Sequence, residues 1–361
     1  MLIFALNCGS SSLKSAVVDT DRRCHLVDVR VQQLDTATLP ATVGRVLQQL
    51  RERSRHHGPP DAIVHRVVHG GDRFVQPTRI DEGVLAELEQ LSHLAPLHNP
   101  PALAAIRRAS EVYPHTVHLA VFDTAFHATL PPNARDYALP RDVSQRFGIR
   151  RYGFHGISHA HAMNAVAAEL KVPAEKLRIV SCHLGNGASV TAIEQGRSVD
   201  TSMGMTPLEG LVMGTRAGDL DPGILLDLIQ SGSFDGTELD ALLNRQSGMA
   251  GLTGTNDMRE IQRRAVEGDD ECRRALALYA YRVRKYIGAY AAAMGGVDAI
   301  AFTGGVGENS AEIRQACVAR LEFLGARIVV VRADEELAMA LQAAALLSAE
   351  SPTAPTATSS S

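Results

Sequence analysis

No run of apolar residues in this chain approaches the ~20 that a helix needs to cross a bilayer. There is also no basic N-terminal segment leading into an apolar core and a cleavage site; the chain opens directly on Leu2-Ile3-Phe4-Ala5-Leu6. Neither a membrane protein nor a secreted one is expected, and the expected compartment is the cytoplasm. Charge of one sign is missing too. Lys+Arg 36 against Asp+Glu 40 leave a net charge of −4 without a long basic run, so no nucleic-acid surface is indicated. The five cysteines, Cys8, Cys24, Cys182, Cys272 and Cys317, are scattered and odd in number, which points to reduced thiols rather than a disulfide framework. Two common nucleotide signatures are absent. Neither Gly9 nor Gly185-Asn186-Gly187 completes G-x-G-x-x-G ahead of a helix, and no G-x-x-x-x-G-K-[ST] occurs, which removes a nicotinamide dehydrogenase and a Walker-type NTPase. His155-Gly156-Ile157-Ser158-His159 has the two-histidine spacing of metalloproteases but no Glu beside the first His, so zinc is not expected.

What is present suits an α/β protein. At 361 residues and 45% hydrophobic content the chain exceeds one ordinary core, and two domains of about 150 residues each are expected. The organising stretch is Met1 to Val18. An apolar strand runs into Asn7-Cys8-Gly9-Ser10-Ser11-Ser12-Leu13-Lys14 and then into the apolar Ser15-Ala16-Val17-Val18, which reads as a hairpin with a polar tip. Gly9 permits a tight turn, hydroxyls and turn N–H groups can donate to phosphate oxygens, and Lys14 adds a positive charge. An ordinary polar turn between two edge strands fits the same residues. Further on, His25 to Gln33 reads as a strand, and Thr38 to His57 as a helix carried by Val43, Val46, Leu47 and Leu50. The strand Ala62-Ile63-Val64 runs into Gly70-Gly71, where α/β proteins place ligands, and Val117 to Phe122 ends at Asp123, an acid suited to a metal. Pro131, Pro132 and Pro140 mark an irregular connection that reads as a hinge. Leu177 to Val190 repeats the opening grammar of strand, glycine turn, hydroxyl and strand, which suggests two copies of one domain plan. Val297 to Phe302 reads as a strand followed by a bare turn, Thr303 to Gly307, with Asn309 and Glu312 spaced like a helix cap. Glu271 to Met294 has helical spacing, and Ser351 to Ser361 has the composition of a disordered tail.

Seven ordered blocks resemble the acetate kinase family, within the sugar kinase/Hsp70/actin group of ATPases. They are Asn7 to Lys14, His65 to Gly71, Phe122 to His127, Arg151 to Gly156, His183 to Ser189, Thr201 to Arg216 and Gly304 to Asn309. The resemblance implies two similar domains of the actin-like ATPase (ribonuclease H-like) fold with an interdomain cleft. The expected domains are residues 1–125, with 336–350 returning to them, and 126–335. The implied reaction is reversible, Mg²⁺-dependent (or Mn²⁺-dependent) transfer of the ATP γ-phosphoryl group to acetate, giving acetyl phosphate and ADP, in a homodimer.

Residue roles follow from the same resemblance. Asp123, His155, Arg216 and Arg66 are the implied catalytic residues. Arg66, Val68, Leu97 and Pro207 would hold the carboxylate and its methyl group. Asn7, Ser12 and Lys14 would hold phosphates. His183, Leu184, Gly185, Asn186 and Gly187, then Asp257, Met258 and Arg259, then Gly305, Val306, Gly307, Glu308 and Asn309 would line the nucleotide site. Asn7, Ser10, Asp123 and Glu335 would hold the metal. The chain departs from the family pattern in three places: Val331-Arg332-Ala333-Asp334 replaces a Pro-Thr-Asn segment, Thr255-Asn256 replaces Ser-Ser before Asp257, and Cys24 to Pro60 is shortened. His65, His69, His93, His127 and His161 read as structural or surface groups.

The chemistry explains the residue types. Bringing phosphoryl and carboxylate together joins two anions, and the transition state spreads charge over the equatorial oxygens. Two guanidinium groups suit that task because they stay charged and grip oxyanions with paired N–H groups. Propionate or butyrate differ from acetate by only one or two methylenes, which leaves them as rival acceptors. A non-catalytic ATP switch of the actin or Hsp70 kind would share both hairpins but would not need the arginine pair or an acyl pocket.

Overall fold

The computed structural model describes residues 1–9, 12–35 and 37–350. Ser10 and the tail from Ser351, both named above, lie outside them. The chain divides into two compact units, Met1–Phe122 together with the chain from Asp334, and Asp123–Ala333.

The first unit is built on a six-stranded sheet. Its strands are β1 (Leu2–Cys8), β2 (Ser12–Asp19), β3 (Cys24–Gln32), β4 (Ala62–Val67), β5 (Thr78–Arg79) and β6 (Val117–Phe122), in the order β3-β2-β1-β4-β6-β5. β1, β2 and β3 form an antiparallel meander, while β1, β4 and β6 run parallel. Parallel strands are covered on both faces, and five of the six residues of β4 are buried. One cover is the helix Leu39–Arg53. Its Val43, Val46, Leu47 and Leu50 recur at helical spacing and join Phe4, Leu6 and Ile63 in one core with Ala105 and Ala109 of the helix Asn99–Val112. Each such side chain contributes about 1.5–3 kcal/mol by leaving water. The helix ends four residues before the expected His57. The Ser54 hydroxyl bonds back to the Leu50 carbonyl at 2.7 Å, and a short 3₁₀ turn, Arg55–His57, follows. The returning helix Glu335–Glu350 packs against β1, β2, β4 and β6.

The second unit repeats the plan. Its strands β7 (Arg178–Leu184), β8 (Ala188–Glu194), β9 (Arg197–Thr201), β10 (Ala299–Thr303) and β11 (Arg327–Val330) are ordered β11-β10-β7-β8-β9. β7, β8 and β9 form the meander, and β7, β10 and β11 are parallel. The helix Gly156–Leu170 covers this sheet with Ala162, Met163 and Val166 against Ile179, Ala299, Ala301 and Val329. The helix Asp270–Ala293 packs on β7 and β8. The proline segment expected to be a hinge lies wholly in this unit and carries the short helices Pro132–Arg135 and Arg141–Phe147. The chain changes unit before it, at Phe122 and Asp123.

Two local expectations differ from the structure. Thr303 to Gly307 is not a bare turn, because β10 passes straight into a short helix, Gly304–Asn309, whose first residue takes φ +79°. An added Cβ at Gly304 would lie 2.7 Å from the Leu184 carbonyl oxygen, so only glycine fits the junction. The cap of the next helix, Ala311–Val318, is Ser310 rather than Asn309: its hydroxyl accepts the Ile313 N–H at 3.2 Å and faces Glu312 at 3.3 Å. Asn309 instead donates to the Gly305 carbonyl at 2.8 Å, inside its own helix.

Candidate active site

In the first unit, candidate residues gather at the ends of the parallel strands. β1 and β4 pair in register, Leu6 beside His65, which brings Asn7 and Arg66 to one level. Arg66 Nη1 donates to Asn7 Oδ1 at 3.0 Å, and Asn7 Nδ2 donates to Glu335 Oε2 at 2.8 Å and Glu336 Oε1 at 3.0 Å. Both acids sit in the first turn of their helix, where the N-terminal dipole favours negative charge. Asp334 caps that helix by accepting the Leu337 N–H at 3.0 Å. His25 of β3 grips the same carboxylate at 2.8 Å and Asp28 at 2.7 Å. Those bonds, led by Asp334, lift the imidazole pKa to about 9. Glu336 had no sequence signal separating it from Glu335; the structure brings both to Asn7. Lys14 lies across the hairpin from Asn7 but is exposed, and with Ser12, Arg30 and Gln32 it lines a groove of about 400 Å³. Val68 is buried, whereas Leu97, assigned to the same apolar pocket, is 54% exposed.

In the second unit, Asp123 is buried directly after β6, and its carbonyl accepts the Gly156 N–H at 2.9 Å. A Cβ at Gly156 would stand 2.2 Å from that oxygen, so glycine allows the helix Gly156–Leu170 to start against Asp123. His155 precedes it with φ +58° and ψ 22°, a left-handed conformation that costs a non-glycine residue on the order of 1 kcal/mol. Surrounding contacts hold it there. His155 Nδ1 lies 2.9 Å from Ser189 Oγ, and its ring stacks on that of His183 with centroids 4.2 Å apart. A Cβ at Gly187 would lie 3.4 Å from His155 Nε2 and 3.6 Å from Arg216 Nη1, so His155, Arg216 and the glycine turn of β7–β8 converge.

Arg216 donates through Nη1 to the Pro207 carbonyl at 3.1 Å and approaches the Met213 sulfur at 3.7 Å. Among the described residues no carboxylate pairs with it, and burial alone pushes its pKa down from the ordinary arginine value. The loop carrying Pro207 and Arg216 is pinned by Arg151, which donates to the carbonyls of Thr201 at 3.1 Å and Met203 at 3.0 Å and to Glu209 at 2.7 Å. Tyr137 bonds the other Glu209 oxygen. Glu209 lies in the Thr201 to Arg216 block but is given no role there, and Tyr137 lies in none of the blocks, because their meeting spans distant segments.

The expected nucleotide residues partly converge. A cavity of about 630 Å³ is lined by Gly185, Asn186, Asp257, Met258, Arg259, Gly305, Val306 and Asn309, and also by Asn256, Gln262, Tyr279 and Ser310. Gln262 follows Met258 by one turn on the helix Met258–Val266, so helical spacing could have found it; Tyr279 gave no such sign. Asn256 Nδ2 holds Asn186 Oδ1 at 3.0 Å. Asp257 caps its helix by accepting the Arg259 N–H at 3.0 Å and pairs with the exposed Arg259 side chain at 2.8 Å, which draws its carboxyl down to about 2. Leu184 and Gly307 are buried and do not line the cavity, and the Glu308 carboxylate accepts the Ala333 N–H at 2.9 Å.

Among the remaining histidines, His65 bonds His118 at 3.1 Å, and His127 is buried between Ser198 Oγ at 2.8 Å and the Phe154 carbonyl at 3.0 Å. Burial depresses the His127 pKa to about 4.

Twin sheets led by hairpins, a glycine-framed cavity and a half-buried arginine that no described carboxylate pairs with suit a phosphotransferase of the actin-like ATPase fold. The structure is alike in fold alone to ROK hexokinase from Thermus thermophilus, with TM-score 0.51 over 97% of this chain and 100% of that one at 15% identity. The chain belongs to the acetokinase family, whose model matches residues 28–353. It is 47% identical to acetate kinase from Clavibacter sepedonicus over 346 residues, 90% of this chain and 87% of that one. Among solved structures it is similar to Porphyromonas gingivalis acetate kinase, with TM-score 0.88, 35% identity and coverage of 96% and 99% of the two chains. It is also similar to a propionate kinase from Francisella tularensis, with TM-score 0.87, 34% identity and coverage of 94% and 98%.

Proposed function

We propose that the protein transfers the γ-phosphoryl group of ATP to acetate, reversibly and in line, giving acetyl phosphate and ADP. Family membership supports the reaction, and Arg216 is the observation that carries the site. A half-buried guanidinium with no carboxylate partner among the described residues suits an anion, and a phosphoryl group in transfer supplies one. Arg66 and Arg216 would neutralise and orient the two anions, and His155 would donate a hydrogen bond to the transferring group. The 630 Å³ cavity beside Gly305, where an added Cβ would meet nothing within 4 Å, suits an adenosine.

A divalent ion is part of the proposal. Asp123, Glu335 and Asn7 offer hard oxygens, and Mg²⁺ or Mn²⁺ bound by one or two carboxylates and phosphates needs no larger cage. When bound, such an ion would offset phosphate charge. The Asn7 amide, set between Arg66 and two carboxylates, keeps those groups in place for it.

Acetate is the proposed acceptor, held at Val68, Leu97 and Pro207. The similar structure called a propionate kinase makes propionate the specific rival, since one methylene changes preference only ~10–200-fold in an apolar pocket. Five free thiols suit the cytoplasm; no described helix is long and apolar enough to cross a membrane. The exposed Leu220, Ile224, Leu226 and Ile229 support a homodimer. Hydroxylamine trapping with ATP, Mg²⁺ and acetate should yield acetyl hydroxamate. ATP turnover without hydroxamate would instead indicate an actin-like switch, and a higher kcat/KM for propionate would change the acceptor.

A further inference from the structure

Four side chains of the second unit stand in one row behind the phosphoryl site. Ser181 Oγ of β7 lies 2.9 Å from His159 Nδ1, His159 Nε2 lies 2.8 Å from Ser189 Oγ of β8, and Ser189 Oγ lies 2.9 Å from His155 Nδ1. Ser181, His159 and Ser189 are fully buried. Burial pushes the His159 pKa well below that of a free imidazole, so this ring is neutral and carries one N–H.

Proton counting fixes the direction of the row. Each serine hydroxyl has one proton to donate and each neutral imidazole has one N–H and one bare nitrogen. If Ser181 donates to His159 Nδ1, then His159 donates through Nε2 to Ser189, and Ser189 donates to His155 Nδ1. Every proton is then used, and the proton of neutral His155 sits on Nε2. In the reverse direction Ser181 accepts from His159, and its own proton has no other acceptor among the described residues, a buried donor left unpaired. Were Ser189 to accept from both rings, its own proton would be stranded in the same way.

The Nε2 edge is also the edge that faces the glycine turn, since a Cβ at Gly187 would lie 3.4 Å from it. The neighbouring ring is held alike, with His183 Nδ1 at 2.8 Å from Ser158 Oγ. The two rings stack at 4.2 Å, which disfavours charge on both at once.

We propose that Ser189 and His159, anchored by Ser181, are positioning residues that hold His155 as its neutral Nε2–H tautomer, so that it donates to the phosphoryl group without taking up a proton. The proposal rests on the reading of His155 given above.

Long-range ¹H–¹⁵N NMR of the intact protein at pH 7.5, with His155→Gln to assign the signals, reads the tautomer directly. A protonated Nε2 with a bare Nδ1 is expected; a protonated Nδ1, or an imidazolium, overturns the proposal. Ser189→Ala should let the His155 tautomer become mixed and lower kcat about 10-fold with KM values for ATP and acetate within about twofold, the scale at which outer partners act. Ser189→Thr, which keeps the hydroxyl, should restore both. Unchanged kcat and tautomer in Ser189→Ala would end the positioning role. Unchanged kcat in His155→Gln would overturn the phosphoryl role instead and leave the tautomer assignment to the spectrum.

Discussion

Arg216 shows how much one side chain can ask of its surroundings. A charge taken from water costs several kcal/mol unless something compensates it, and among the described residues Arg216 has the Pro207 carbonyl and a thioether at hand. Substrate binding would complete the arrangement, so the loss on substitution should appear in the transition state. Arg216→Lys keeps the charge but not the planar fork, and kcat for hydroxamate formation is expected to fall by about 10²-fold or more, roughly 3 kcal/mol. A kcat within a few-fold of the parent would remove Arg216 from the reaction. Arg216 and His155 are readable in sequence because each lies in a motif whose neighbours must fold tightly, such as Gly214 and Gly156. The bonds of Ser181 and Ser189 to His159 and His155 are not. Their role depends on two adjacent antiparallel strands facing one turn of the Gly156–Leu170 helix, and a serine in an apolar strand carries no mark of what it will face.

At the scale of elements, the strands were legible from apolar runs and the junctions were not. β6 ends at Phe122 as its apolar run predicts, but the Gly304–Asn309 helix reads in sequence as a turn because three glycines in five residues disguise a helical start. Asp257 shows the same ambiguity in function: it was read as a nucleotide residue, and its carboxylate is engaged as the cap of the Met258–Val266 helix. The two roles separate on substitution. If Asp257 only caps, Asp257→Ala lowers Tm, Asp257→Ser restores it, and KM for ATP is unchanged in both. A raised KM for ATP in Asp257→Ser would show a direct contact.

The link between β3 and the returning Glu335–Glu350 helix offers a second test at this scale. His25 is raised to about 9 by Asp334 and Asp28, against about 6.5 in an unfolded chain. A raised pKa means that the folded state holds the proton more tightly. The stabilisation is therefore complete below about pH 6.5 and disappears as pH rises through about 9. The Tm difference between the parent and His25→Gln should be largest near pH 6 and shrink above pH 9. A difference that stays constant over that range would refute the linkage.

For the whole molecule, the duplicated plan was legible because Asn7 to Ser15 and His183 to Val190 share a grammar of strand, turn and strand, and both sheets place that hairpin next to their parallel strands. The proposed self-association has no comparable trace in the sequence, since it depends on which apolar residues the fold fails to cover. The Pro222–Gln230 helix is the clearest case. It has no buried residue, and Ile224, Leu226 and Ile229 are 47%, 58% and 50% exposed, with Leu220 at 43% just before them. Such a helix gains little from this chain alone, and a second copy laid against it would bury the apolar face, provided the contact reaches the ~800 Å² per partner of a stable interface. Leu226→Glu places a charge in that face and is expected to shift the protein from dimer to monomer in sedimentation velocity at micromolar concentration. Acetyl hydroxamate formation should survive, because every residue proposed for the reaction belongs to one chain. A parent protein that sediments as a monomer, or a Leu226→Glu variant that stays dimeric, would show that this helix is not the contact.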